Sequence, residues 1–135
     1  MFDNLRQRGM EFGIVFGNLS LLSNSRLSLE ASEYARDMGK YEQFHERIFH
    51  AYFTEAIDIG SVNNLCDAAA KCGLDPDDIR GALTDHRYQH RLDEARKEAQ
   101  KINLTGVPTF IISDKHKIVG VQPLSVFSNL FEKLK

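Results

Sequence analysis

The chain has 135 residues, 42% of them hydrophobic and 27% charged, with a formal net charge of −2. That suits a globular domain large enough to bury a core, and without a basic stripe it argues against a nucleic-acid partner. No apolar run is long enough to span a bilayer and no secretory leader pattern opens the chain, so the expectation is a cytoplasmic protein with no membrane contact.

In chain order, a first helix is predicted over Phe2–Met10, then a brief extended segment at Phe12–Phe16. Ser23 or Asn24 is placed to cap a helix carrying Leu27, Ala31, Tyr34, Ala35 and Met38, which Gly39 stops. Tyr41, Phe44, Ile48, Phe49, Tyr52 and Phe53 form an aromatic stripe on the next helix. Ser61 opens a helix with Val62, Leu65, Cys66 and Ala69, and Gly73 closes it. Asp75-Pro76-Asp77-Asp78 combines a capping aspartate, proline in the first turn and acids near the helix dipole. A further helix is predicted over Tyr88–Lys101, strands over Thr109–Ser113 and Lys117–Val121, and a closing amphipathic helix over Pro123–Leu134.

Most candidate sites carry a bland reading beside the functional one. Cys66 and Cys72 lie six apart, a rotation of about 240° on a helix, so they face apart and are expected as small buried apolar residues. His86 and His90 could share a helix face, but Arg87-Tyr88-Gln89 between them lacks a metalloprotease glutamate, and a solvated helix end is expected. His45 and His50 lie on neighbouring helix faces, and no metal site is expected. Phe44, Phe49, Tyr52 and Phe53 could line a groove, although helical spacing favours ordinary core. Gly9, Gly13 and Gly17 recur too widely for a phosphate loop, and no Gly-x-Ser-x-Gly occurs.

The most informative stretch is Thr105-Gly-Val-Pro-Thr-Phe-Ile-Ile-Ser113, followed by Lys117-Ile-Val-Gly-Val-Gln-Pro123. Pro108 stands where a strand tolerates proline, at its start. A cis Val107–Pro108 bond would turn the chain sharply and leave the Val107 backbone free to pair with something extended. Phe110-Ile111-Ile112 suits a strand buried on both faces, yet only one partner strand is evident. The unpaired edge of Thr109–Ser113 is expected to recruit a second copy, giving a homodimer.

These two runs resemble the C-terminal half of a DsbA-like thioredoxin domain of the FrnE type. Ser32-Glu33-Tyr34-Ala35, Gly39-Lys40, Phe44-His45, Ile48–Phe53 and Cys72-Gly73-Leu74-Asp75 are similar to the helical domain inserted in that fold. The resemblance runs from about Leu5 to the end. It implies an α/β but mostly helical fold: a lead-in at 1–23, a helical insertion at 24–102, and a strand–strand–helix thioredoxin half at 103–135, an incomplete thioredoxin fold.

By the same resemblance Pro108 matches the family's cis-proline, Val107 presents backbone to substrate, and Thr105 and Gly106 line the loop. The family's Cys-x-x-Cys would precede residue 1, and neither Cys66 nor Cys72 matches it. The implied activity is thiol–disulfide oxidoreduction or isomerisation of proteins, with an extended peptide or protein thiol as partner and no cofactor. The chain alone is expected to be inactive, because exchange requires an activated thiolate and a resolving thiol. Two rival readings are a glutathione-dependent isomerase or transferase of the kappa or hydroxychromene-carboxylate type, and a non-catalytic peptide-binding module.

Overall fold

The computed structural model describes residues 2–135. Its elements are α1 (Phe2–Glu11), α2 (Arg26–Asp37), α3 (Tyr41–Phe49), a π-helical turn (His50–Thr54), α4 (Val62–Lys71), α5 (Pro76–Thr84), α6 (Gln89–Lys101), β1 (Thr109–Ile112), β2 (His116–Val119) and α7 (Leu124–Lys133). Two compact units emerge, one reaching to Glu94 and the other spanning Ala95–Lys135. The expected architecture, mostly helical with a C-terminal strand–strand–helix, is the one observed.

The first unit is built on α2, α3, α4 and α5. Ala31 and Ala35 on α2, and Ala68 and Ala69 on α4, keep the helices close, while Tyr34, Phe44, Leu65 and Ile79 fill the space between. Each large apolar side chain withdrawn from water contributes about 1.5–3 kcal/mol, and these stripes make marginal ten-residue helices stable. The helix stops follow the sequence signals: Gly39 and Gly73 adopt φ of 67° and 73°, the left-handed region that glycine reaches without a Cβ clash. The Asp75 carboxylate accepts from the Asp77 and Asp78 N–H groups, with Pro76 opening α5.

Other caps differ from expectation. Ser25 occupies the N-cap of α2, and Asn24 instead accepts from the Arg26 N–H at 3.0 Å. Ser61 stands at the N-cap of α4 without a side-chain cap bond. The extended segment expected at Phe12–Phe16 is irregular chain, turned by Gly13 at φ 70°.

In the second unit β1 and β2 pair antiparallel, with Thr109 opposite Val119 and Ile112 opposite His116. Both strands are shorter than expected. β1 ends at Ile112 because Ser113 and Asp114 already adopt left-handed φ of 52° and 56° in the connecting turn. β2 starts one residue early, at His116, but ends at Val119 because Gly120 takes a φ of 79°. The apolar run Phe110–Ile112 was expected to be covered on both faces; Phe110 and Ile111 are instead exposed, since β2 is the one strand that pairs with β1 among the described residues.

Candidate functional site

The loop ahead of β1 is held from several sides. Asn103 takes a left-handed φ of 49°, and the Lys117 ammonium donates to the Ile102 and Asn103 carbonyls at 3.1 and 2.9 Å. The Thr109 hydroxyl donates to the Gly106 carbonyl at 2.6 Å, and a Cβ on Gly106 would stand 3.3 Å from the Val119 side chain. The Val107–Pro108 peptide is cis, and the Pro108 carbonyl accepts from the Gly120 N–H at 2.7 Å.

Between these anchors Val107 is 82% exposed, and neither its N–H nor its C=O has a protein partner among the described residues. One donor and one acceptor thus stand on a restrained backbone in open solvent. Such groups can receive an added extended chain. Thr105, Gly106, Val107 and Pro108 form one continuous loop, with Thr105 and Pro108 also exposed.

The thiols are poor nucleophiles where they lie. Cys66 is buried on α4, and burial pushes its thiol pKa up. Cys72, at the C-cap of α4, donates its S–H to the Gln43 carbonyl at 3.6 Å; desolvation raises it too, against the pull of Arg47 and Lys40. The expectation of a small buried residue fits Cys66. Cys72 departs from it, being half-buried in the wall of an open cleft with Lys40, Arg47 and Lys71.

His86 and His90 do not share a helix face. His86 precedes α6 with a left-handed φ of 49°, and its Nδ1 lies 3.4 Å from the buried Glu30 carboxylate on α2. The aromatic stripe also splits. Phe44 is fully buried core, whereas Phe49 is 52% exposed and, with Phe53, lines two cavities. Helical spacing alone could not separate the two outcomes, because positions 41, 45, 49 and 53 recur every four residues whether or not a neighbour covers them.

The comparisons agree with this architecture. The family model of the DSBA-like thioredoxin domain matches residues 1–132, and the chain belongs to that family. It is 33% identical over 121 residues to the protein YwbO of Bacillus subtilis (strain 168), covering 89% of this chain and 58% of that relative. A crystal structure described as a probable DsbA oxidoreductase from Streptomyces coelicolor superposes with a TM-score of 0.77 at 24% identity, covering 97% of this chain and 57% of that one. The chain thus spans a little over half the length of these two proteins.

Proposed function

We propose that these residues form the peptide-capturing portion of a thiol–disulfide oxidoreductase of the FrnE type, with no dithiol exchange of their own. The supporting observation is the exposed Val107 backbone, restrained on both sides and free of protein partners. An extended substrate segment would add to the loop as a short strand, with Thr105, Gly106 and Pro108 shaping the approach. The sulfur chemistry needs a Cys-x-x-Cys, and the 135 residues contain none. No helix among the described residues is long and apolar enough to cross a membrane. Two free cysteines suit a reducing compartment, so a cytoplasmic location is part of the proposal.

The test joins binding to turnover. An unfolded, cysteine-free peptide is expected to bind, with Val107→Ala retaining affinity and Val107→Pro, which deletes the N–H, losing it. Insulin reduction by the purified chain is expected at background. Robust turnover, or binding indifferent to Val107→Pro, would overturn the reading.

A further inference from the structure

A second concave feature lies in the helical unit. Leu5 on α1, the segment Ile14–Phe16, and Phe49 and Phe53 surround an apolar groove of ≈650 Å³. That volume falls within the range of small-molecule sites. Three of its lining rings are in contact, Phe49–Phe53 at 5.6 Å between centroids and Phe53–Phe16 at 5.9 Å. Beyond the lining the row of rings continues from Phe49 to His45 at 4.6 Å and on to Tyr41 at 5.3 Å.

The groove is built by specific bonds. The π-helical turn ends α3, and its Thr54 hydroxyl donates to the Val15 carbonyl at 2.8 Å. The Gly17 N–H donates to the Phe53 carbonyl at 2.8 Å, and the Arg6 guanidinium donates to the Gly17 carbonyl at 3.0 Å. These bonds fix segment 14–17 beside the aromatic column while Phe49 stays half in water. Leaving such a ring uncovered forgoes stabilisation that burial would supply.

His50 belongs to this groove and also to its neighbour, an open cleft of ≈710 Å³ carrying Lys40, Arg47 and Lys71 with Glu46 as its one acid. The Arg47 guanidinium is bound by Glu55, whose other contact is the His50 Nδ1 at 3.1 Å. Lys40 and Lys71 have no ion-pair partner among the described residues, so the cleft keeps an excess of positive charge beside Glu46. An apolar groove and a cationic cleft therefore meet at one imidazole.

We propose that the helical unit binds a single-chain amphiphile with an anionic head, its tail along Phe16, Phe49 and Phe53 and its head across His50 towards Lys40 and Lys71. Charge complementarity selects this occupant: a purely apolar ligand makes no use of the lysines, and a cationic head meets them unfavourably. The site shares no residue with the Val107 loop and does not depend on peptide capture there.

Calorimetry of the full chain with monomeric dodecanoate tests the proposal, with dodecyltrimethylammonium as the probe of equal tail and opposite head. One saturable equivalent of dodecanoate is expected, bound roughly tenfold more tightly than the cation, as like-charge contact at a few ångströms implies. Lys71→Glu is expected to remove most of that preference, and Ile14→Asp to abolish binding of both probes. Should Ile14→Asp fail to fold, Val15→Asp at a more exposed position asks the same question. No saturable binding, equal affinity for the two heads, or affinity untouched by both substitutions would overturn the site.

Discussion

Glu30 is fully buried, yet only one of its carboxylate oxygens is engaged: Oε1 lies 3.4 Å from the Arg26 Nε and 3.4 Å from the His86 Nδ1, while Oε2 has no partner. A buried carboxylate that is half satisfied costs more in lost hydration than two long contacts return. Arg26 and His86 are each half-exposed and would stay hydrated without it. Glu30→Met is therefore expected to stabilise the protein by about 1 kcal/mol, read as a higher urea midpoint at unchanged slope. Tyr34 shows the opposite balance. Its ring is buried edge-on to Tyr88 at 6.3 Å, its hydroxyl donates to Asp78 at 2.9 Å, and burial together with that acid pushes its pKa up to about 12. The unfolded tyrosine ionises near pH 10, so this contribution is complete below pH 10 and fades as pH rises towards the folded value. Tyr34→Phe is expected to lose about 1 kcal/mol at neutral pH and to flatten the fall in stability above pH 10.

At the scale of elements, the sequence is most legible where a local residue ends a helix. Gly39, Gly73 and Asp75-Pro76 mark boundaries that the structure keeps, since each acts through its own backbone or its nearest N–H groups. The π-helical turn was not legible, because the bonds that hold it join residues far apart in the chain, Thr54 to Val15 and Phe53 to Gly17. His86 was hidden for a related reason: its left-handed backbone and its contact with Glu30 depend on α2 lying alongside. The loop at 105–108 could be singled out because its proline and glycine are local signals. The exposure of Phe49 could not, since the stripe says which residues share a face and not what covers that face. Gly17 supplies a direct test of the turn. A Cβ there would meet the Thr54 carbonyl oxygen far inside contact distance, so backbone must move. Gly17→Ala is expected to cost ~1–3 kcal/mol, as overpacking does, and to loosen the groove beside Phe53. A thermal melt paired with hydrogen exchange at residues 50–57 measures both effects. An unchanged melt would mean that segment 14–17 is not fixed against the turn.

Over the whole molecule, the two units differ in how far each satisfies its own apolar surface. The unit that ends at Glu94 has a continuous core, whereas in Ala95–Lys135 only Ile118 is buried among the large hydrophobics. Helix α7 is strongly amphipathic yet has no buried residue, and its Phe127 meets Phe110 edge-on at 5.0 Å in a contact that covers little else. A two-stranded hairpin is marginal in water, and exposed apolar side chains beside a free strand edge attract another chain. Ile111 is 50% exposed on β1 and marks that edge. The chain on its own is expected to self-associate through β1 as a symmetric dimer, with the apolar faces of two hairpins apposed. Sedimentation equilibrium should show a mass that rises with concentration, and Ile111→Lys, which places a charge on the edge, should return it to the monomer. If the wild-type chain sediments as a monomer at the highest concentration reached, the hairpin's apolar face is tolerated in water and the dimer is wrong. If Ile111→Lys leaves a dimer intact, association runs through another surface and the exposed edge of β1 is not its cause.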